Sequence, residues 1–554
     1  MRITDRSDLW WKTAVVYCLD VETYMDWNDD GSGDFEGLAH RLDHLAELGV
    51  TCIWLMPFQP TPDRDDGYDI TDFLGVDPRL GSLGDVAEFT RTARDAGMRV
   101  IIDFVMNHTS ERHPWFKAAR RSRTSPYRDW YVWRDEPPKQ QAGTVFPGEE
   151  DCVWELDERT GQYYLHSFYR HQPDLNIANP AVRDEIAKTI GFWLELGISG
   201  FRVDAVPFLI EAPEGVDIGD PHEILRDLRR FLQRRSSEAV LLGEVNLPYD
   251  QQLEFFGRTG DPPELTMQFD FLGMQALYLS LAREDARPLA ESLAKRPVLE
   301  PEAQWANFVR NHDELTLDKL SDAEREEVFE AFAPEEWMRV YGRGIVRRLP
   351  PMLDGDPRRI RLVYSLLFSL PGTPVLFYGE EIGMGENPAQ EGRLAVRTPM
   401  QWTDERNGGF SRATPARLVA TPPADGYAPE HVNVEAQMHD PDSLLATIRH
   451  FAVRYRSSPE IGWGELDLLP TGQDAVLAHR ITADVGRFVA VHNFAATPTV
   501  VPLELGRVAP GTLLSDLFAV DAEPIEERGR IDVHLDAYGY RWFRIVEPDD
   551  RRLT

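Results

Sequence analysis

Two acidic residues lie where short apolar segments of the sequence end, and their types suit the cleavage of a glycosidic bond. Asp204 ends the segment Gly200-Phe-Arg-Val-Asp204, and Glu244 ends the segment Leu241-Leu-Gly-Glu244. Cleavage by double displacement requires one carboxylate as nucleophile and one carboxyl group as general acid and base. A single acid after a strand more often caps the next helix, so each residue alone would leave a structural role open.

Four polar motifs follow predicted strands, and together they favour one shared active site over separate structural roles. In chain order they are Asp103-Phe-Val-Met-Asn-His108, Gly200-Phe-Arg-Val-Asp204, Gly243-Glu-Val-Asn246 and Asn311-His-Asp313. Arg202 lies two residues before Asp204 on the same face of its strand, where a positive charge favours the ionised carboxylate. A purely structural ion pair would have the same sequence pattern.

This ordered set resembles the α-amylase superfamily of glycoside hydrolases and transglycosidases, and the resemblance extends along nearly the whole chain. It implies Asp204 as the nucleophile, Glu244 as the acid/base and Asp313 as a third carboxylate that stabilises the transition state. The implied substrate is a small neutral α-glucoside, such as maltose, trehalose or a short malto-oligosaccharide. The resemblance also implies a set of residues around the glucosyl unit: Tyr68, Asp69, His108, Arg202, His312 and Arg397.

Several segments are more similar to trehalose synthases, which isomerise maltose, than to other members of the superfamily. They are residues 171–176, 311–317, 369–375 and 397–402, together with an insertion after the seventh predicted strand. Ala205, directly after the predicted nucleophile, fits members that act on α-1,4 links. Hydrolysis and glucosyl transfer to another acceptor stay open, because residues 385–391 and other segments near the site depart from the trehalose synthase pattern.

A loop near the N-terminus carries oxygen-bearing side chains at alternate positions, in Asp26-Trp-Asn-Asp-Asp-Gly-Ser-Gly-Asp34. Hard cations prefer such ligands, but the loop lacks the acidic twelfth residue of a helix-loop-helix calcium site, so spacing alone leaves an acidic turn as an equal alternative. The resemblance implies a second metal site at Asn107 and Asp174, found in some members. It implies structural calcium in the loop, held by Asp26, Asn28, Asp30, Asp34 and the carbonyl of Ser32.

Short apolar segments alternate with amphipathic ones, which predicts parallel strands joined by helices and hence an α/β fold. Several predicted helices end at glycines that suit a left-handed cap, Gly49, Gly97 and Gly197. If these strands close into a β/α barrel, the active site lies at their carboxyl ends, where the polar motifs occur. Eight predicted strands would close the barrel: 14–19, 51–55, 99–104, 200–203, 240–243, 266–269, 305–309 and 374–378.

Three segments depart from this alternation. Residues 113–179, rich in Trp, Tyr, Pro and charge, predict a subdomain inserted after the third strand of a barrel formed by residues 1–112 and 180–463. Residues 321–356 predict a charged helical insertion, either a lid or a surface decoration. Residues 464–554 contain alternating strands without helices, which predicts a C-terminal antiparallel β-sandwich domain.

The composition excludes several other classes of function. The chain of 554 residues has 59 Lys and Arg against 93 Asp and Glu, a net charge of −34 that would repel nucleic acid and anionic membranes. Neither a secretion signal nor a membrane span is present in the sequence, so we expect a cytoplasmic protein. The same barrel also occurs as a non-catalytic partner domain of transporters, but that class predicts a membrane helix and missing carboxylates.

The three cysteines, Cys18, Cys52 and Cys152, form no disulfide framework and have no metal-ligand spacing, which predicts free thiols. We expect no organic cofactor, because hydrolysis and glucosyl transfer of this kind need only carboxyl groups. The sequence leaves open whether the chain forms a homo-oligomer.

Overall fold

The computed structural model describes residues 9–139, 143–210, 219–258, 260–519, 522–526 and 528–548. The ends of the first and last predicted domains, residues 1–8 and 549–554, lie outside them. The predicted α/β barrel is confirmed, because eight parallel strands close into a barrel in chain order. The strands are β1 (Val16–Leu19), β2 (Cys52–Leu55), β3 (Arg99–Phe104), β4 (Gly200–Val203), β5 (Val240–Gly243), β6 (Met267–Phe269), β7 (Gln304–Phe308) and β8 (Thr373–Phe377).

The barrel strands form the centre of the hydrophobic core. β1, β2, β4 and β5 are buried along their whole length, because helices cover one face and barrel side chains fill the other. This double burial explains why the strands occur in the sequence as mainly apolar segments, with Arg202 as the charged exception in β4. β1 pairs with both β2 and β8, so the first and last strands close the sheet.

Amphipathic helices cover the outside of the barrel. In Leu83–Asp95, the apolar residues Val86, Phe89 and Ala93 are buried at helical spacing, and Ser82 with Asp85 forms a capping box. Gly49, Gly97 and Gly197 each have a positive φ just after a helix, as the sequence predicts. Among the described residues, the α-helices of the barrel are Val21–Tyr24, Phe35–His40, Leu42–Leu48, Leu83–Asp95, Pro180–Glu195, Val206–Ile210, Glu223–Arg235, Tyr249–Glu254, Phe271–Arg283, Arg287–Lys295, Pro357–Ser369, Val434–Met438, Leu444–Arg456 and Glu460–Trp463.

A small antiparallel sheet lies within the segment inserted after β3. Its strands are Trp133–Arg134, Gln162–Leu165 and Trp154–Asp157, in that spatial order. The helix Pro114–Ala119 packs on the sheet through Phe116, whose ring stacks on Trp133 at 5.6 Å. Aromatic packing of this kind accounts for the unusual composition of the segment.

The insertion after β7 is only half helical, and the prediction of a helical segment is wrong for its second half. Ser321 and Glu324 form a capping box that starts the helix Asp322–Phe332. Beyond it, Gly342 and Gly344 favour turns and extended backbone over helix. The strands Leu315–Thr316, Gly344–Ile345 and Arg339–Val340 form a small antiparallel sheet there, followed by the short helix Leu349–Met352.

The C-terminal strands form two sheets, whose apolar side chains pack against each other, and the larger sheet also packs on the barrel helices. The larger sheet contains, in spatial order, Glu465–Leu468, Val476–Ala483, Gly486–Asn493, Tyr540–Val546, Leu513–Asp516 and Ala522–Pro524, and the smaller pairs Thr499–Glu504 with Arg530–Leu535. Trp542 attaches the larger sheet to the barrel helices, since its ring stacks on Phe451 and its Nε1 donates to Ser365 Oγ at 2.9 Å. None of the described helices has the length and apolar character needed to cross a bilayer.

Candidate active site

A buried arginine on β4 organises the carboxyl groups at the ends of the barrel strands. Arg202 is fully buried, and its Nη1 donates to Asp103 Oδ1 at 2.6 Å and to Asp204 Oδ1 at 2.5 Å. Its Nη2 donates to Glu244 Oε2 at 2.7 Å. One guanidinium group therefore holds both predicted catalytic acids close together, as a retaining double displacement requires.

The backbone turns sharply directly after Asp204. Ala205 has a φ of 46°, in the left-handed region that residues other than glycine rarely adopt. This conformation directs the Ala205 N–H to Glu244 Oε2, at 3.1 Å. Within the described residues both hydrogen bonds to Glu244 are accepted by Oε2, which leaves Oε1 available to a substrate. Strained backbone of this kind is concentrated at functional sites, where the surrounding structure fixes it.

The two acids differ in their affinity for a proton. Burial raises the pKa of Asp204 to about 6, against the opposing effect of Arg202. Burial also raises the pKa of Glu244 to about 7; Arg202 opposes this rise, and the negative charge of Asp204 adds to it. Near neutral pH the site thus favours an ionised Asp204 beside a readily protonated Glu244, which suits a nucleophile and a general acid.

Asp313, beyond the end of β7, is surrounded by positive or proton-donating groups. Its Oδ1 accepts from Arg393 Nη1 at 2.7 Å and from Arg397 Nη2 at 3.2 Å, and its Oδ2 lies 3.2 Å from His312 Nε2. Burial acts to raise the pKa of Asp313, but His312 and the two arginines lower it below its usual value. The carboxylate therefore stays ionised and can stabilise positive charge that develops on a sugar ring.

Tyr68 contacts both His312 and Asp103 at one side of the site. Its hydroxyl lies 2.6 Å from His312 Nε2 and 3.2 Å from Asp103 Oδ2, and its ring stacks on the imidazole of His312 with centroids 5.5 Å apart. His108 Nε2 lies 3.2 Å from the Tyr68 carbonyl. Burial lowers the pKa of His108 to about 4, so this histidine is neutral near pH 7.

These side chains border a cavity of about 540 Å³ at the carboxyl ends of the strands. That volume is typical of a small-molecule site. Aromatic residues from the insertion and the barrel loops, among them Phe146, Phe168 and Phe208, supply its apolar surface. Of the predicted catalytic and substrate residues, the structure places five at the cavity wall: Tyr68, His108, Asp204, Glu244 and Asp313.

The other predicted substrate residues lie behind the wall. Arg202, His312 and Arg397 contact the carboxylates and the tyrosine that line the cavity. Asp69 is fully buried, and its Oδ1 accepts from Thr61 Oγ1 at 2.7 Å. It does not line the cavity, so a direct contact between Asp69 and the sugar stays a prediction.

Sequence reasoning missed Asp65 and Arg393, which line the cavity. Arg393 donates to Asp65 Oδ1 at 2.9 Å and also contacts Asp313, so it links two carboxylates. Two signals were available: Asp65 lies three residues before Tyr68, and Arg393 lies four residues before Arg397. Both residues are therefore close in sequence to predicted site residues.

The first set of predicted metal ligands forms one compact loop. Asp26 Oδ2 accepts from Gly31 N at 2.8 Å, Asn28 Oδ1 from Asp30 N at 2.9 Å, and Asp30 Oδ1 from Ser32 N at 2.9 Å. Asp26 Oδ1 is buried and has no hydrogen-bond partner among the described residues. A buried carboxylate oxygen without a partner fits a cation ligand.

The carboxylates of Asp34 and of the second predicted metal site already accept hydrogen bonds from other protein groups. Asp34 Oδ1 caps the helix Phe35–His40 by accepting from Gly37 N at 2.7 Å, and its Oδ2 accepts from Trp27 N. Asp174 Oδ1 accepts from Asn107 Nδ2 at 3.2 Å, and both its oxygens accept from Ser167. Asn107 and Asp174 thus lie together, but a metal would have to displace these hydrogen bonds.

Comparisons with known proteins agree with this architecture. A family model described as the α-amylase catalytic domain matches residues 21–331 and 347–463, and one described as a sucrose hydrolase-like C-terminal domain matches residues 486–544. Among solved structures, the trehalulose synthase of Pseudomonas mesoacidophila MX-45 has a TM-score of 0.77 at 25% identity, covering 97% of this chain and 99% of its own.

Two curated relatives match almost from end to end. The trehalose synthase of Pimelobacter sp. strain R48 is 41% identical over 98% of this chain and 96% of its own length. The trehalose synthase/amylase of Mycobacterium tuberculosis is 40% identical over 97% of this chain and 90% of its own length. Because these matches span the barrel, both insertions and the C-terminal sheets, the chain belongs to the α-amylase family of enzymes.

Proposed function

We propose that this enzyme isomerises maltose to trehalose through a glucosyl intermediate on Asp204. Asp204 attacks the anomeric carbon while Glu244 gives its proton to the oxygen of the α-1,4 bond, which leaves as part of free glucose. The freed glucose then turns and offers its anomeric hydroxyl, whose proton passes to Glu244. That oxygen attacks the glucosyl carbon and releases Asp204, so an α-1,1 bond replaces the α-1,4 bond.

The observation that carries this proposal is a contact between the two insertions at the wall of the catalytic cavity. In the insertion after β7, Arg343 Nη2 donates to Val145 O at 2.8 Å in the insertion after β3. Tyr341 packs on Phe146 with centroids 4.9 Å apart, and its hydroxyl lies 3.4 Å from that of Tyr169. We call these five residues the roof. This contact would limit the access of water to the glucosyl intermediate while the freed glucose turns.

Incubation with maltose tests the proposal directly. Isomerisation yields trehalose as the main product, with little free glucose, when both sugars are separated and counted over time. Water that reaches the intermediate would instead give two glucose molecules, the outcome of a hydrolase. Glucose as the only product, or glucosyl transfer only to another acceptor, would contradict the isomerase proposal and leave an α-glucosidase or glucosyltransferase with the same carboxylates.

Opening the roof should shift the products from trehalose to glucose. Arg343→Ala removes the hydrogen bond to Val145, and Tyr341→Ala removes the packing on Phe146, so both admit water to the intermediate. We expect the ratio of glucose to trehalose to rise several-fold in each variant. Arg325→Ala is the matched control, because Arg325 lies in the same insertion and, among the described residues, forms an ion pair only with Asp322. An unchanged product ratio in both roof variants would contradict the assigned role.

The pKa values predict a bell-shaped dependence of activity on pH. Activity should fall as the pH drops through about 6, because Asp204 must be ionised to attack. It should also fall as the pH rises through about 7, because Glu244 must carry the proton that it donates. The measurement is kcat/KM for maltose across the pH range, whose two limbs belong to the coupled pair of acids. A rate that keeps rising above neutral pH would exclude Glu244 as the acid.

We also propose structural calcium in the loop of residues 26–34, supported by the buried Asp26 Oδ1 without a protein partner. None of the loop residues lines the catalytic cavity, so the ion would act on stability only. Calcium should raise the melting temperature by mass action, and Asp26→Asn should reduce that response. If neither calcium nor a chelator changes the melting temperature, the loop is an acidic turn without a bound ion.

We further propose that the enzyme works in the cytoplasm. This is supported by Cys18, Cys52 and Cys152, which are all free thiols. Fractionation of cells that produce the protein would test the location, and recovery outside the cytoplasm would contradict it.

A further inference from the structure

A second cavity, of about 620 Å³, lies between the start of the 26–34 loop and the segment 403–412. Hydrogen bonds hold its two walls together: Asp26 N donates to Phe410 O at 3.0 Å, and Arg412 N donates to Asp29 Oδ1 at 3.1 Å. The residues that line it are all different from those that line the catalytic cavity. It is therefore a separate, preformed cleft of a size that suits a small molecule.

Trp27 gives this cleft a flat apolar surface. One face of its indole stacks on His40, with centroids 3.7 Å apart and ring planes inclined by 22°. The side chain is nevertheless 47% exposed, so the opposite face remains open. A fixed indole face can pack against the apolar face of a ring-shaped ligand.

Arg41 supplies hydrogen-bond donors that the protein itself leaves unused. Its Nε is buried and has no partner among the described residues. Its guanidinium lies 4.2 Å over the ring of Trp402, and its Nη2 contacts Met25 Sδ at 3.6 Å. No carboxylate pairs with Arg41 in the described part of the chain, although a guanidinium group has five N–H donors. Because Arg41 lines the cleft, oxygen atoms of a ligand there can accept hydrogen bonds from its guanidinium group.

The charges around the cleft favour a neutral ligand. Three arginines and three carboxylates line it: Arg41, Arg406, Arg412, Asp26, Asp29 and Glu405. An anion would meet the three carboxylates, whereas hydroxyl groups can both accept from arginine and donate to carboxylate. We propose that this cleft binds a neutral saccharide of two or more rings, stacked on Trp27 and hydrogen-bonded to Arg41.

Titration of the inactive Asp204→Asn enzyme with maltotriose, followed by calorimetry, tests this proposal. We expect Trp27→Ala in that background to remove one class of binding sites, or to weaken it about tenfold through loss of the stacking surface. Arg406→Ala, on the other wall, should weaken the same class and remains informative if the change at Trp27 disturbs the adjacent loop. Trp463→Ala is the matched control, because Trp463 is 43% exposed but lies outside the cleft.

The outcomes separate this cleft from the catalytic site. Maltotriose binding that neither Trp27→Ala nor Arg406→Ala alters would overturn the proposal, whatever the active site binds. A parallel titration with inorganic phosphate identifies an anion site, and phosphate binding without maltotriose binding would also overturn it. If maltotriose binds at one site only and Trp27→Ala abolishes that binding, the cleft is supported even where the proposed isomerisation fails.

Discussion

Asp204→Asn should lower kcat for maltose by roughly 10⁴-fold or more, because the change removes the carboxylate that we propose forms the glucosyl bond. The variant should still fold, since asparagine has nearly the same volume and Arg202 keeps Asp103 and Glu244 as partners. Melting temperature measured beside turnover separates the two effects. Residual activity of a few per cent or more by rough estimate would assign the nucleophile to another residue.

Glu244→Gln is the matched comparison, because it removes a proton donor and leaves the nucleophile intact. The variant should turn over maltose very slowly. It should react much faster with an aryl α-glucoside, because that leaving group needs no proton. With that substrate the glucosyl intermediate should accumulate, because no base activates the acceptor. Proteolysis and mass spectrometry should then find one glucosyl unit on the peptide that contains Asp204. A label on any other peptide would contradict the mechanism.

Arg202→Leu should impair both stability and the acidic limb of the pH profile. It would leave Asp103, Asp204 and Glu244 facing one another without the buried cation that contacts all three. Uncompensated charge of this kind costs about 3–5 kcal/mol of unfolding free energy, measured by denaturant at neutral pH. Because Arg202 holds the pKa of Asp204 down, the acidic limb should also move to higher pH.

Arg202→Lys keeps the positive charge and serves as the control. A lysine ammonium is a point charge without the planar fork, so it can hold one or two of the carboxylates but not all three in the same geometry. We therefore expect a smaller loss of stability and a smaller shift of the acidic limb than in Arg202→Leu, with turnover still reduced. Equal stability and equal pH profiles in all three proteins would contradict the role of Arg202.

The sequence was most informative where local chemistry decides structure. β3, β4 and β5 were predicted with bounds that agree with the structure, because most of their residues are apolar and nearly all are buried. The same periodicity put Asp204 and Glu244 directly after neighbouring strands. In a barrel that order alone brings the two side chains together, without any long-range information.

The sequence was least informative where contacts between distant loops decide structure. The contact of Arg343 with Val145 joins two insertions, and no periodicity marks either partner. The left-handed backbone of Ala205 was equally hidden, since alanine gives no local signal for that conformation. Arg393 reaches Asp65 across more than three hundred residues of chain, so its role depends on the closed barrel rather than on its neighbours in sequence.

The pairing of β1 with β8 constrains how the chain can be synthesised. Val16 lies opposite Val375, and Thr373 Oγ1 donates to the carbonyl of Trp11, 362 residues earlier in the chain. Most of the chain must therefore have left the ribosome before β1 and β8 can pair. Until then β1 keeps an unpaired edge, which is prone to join other chains. Slower translation just after β8, or chaperone binding to the emerging N-terminal strands, should accordingly raise the yield of folded enzyme.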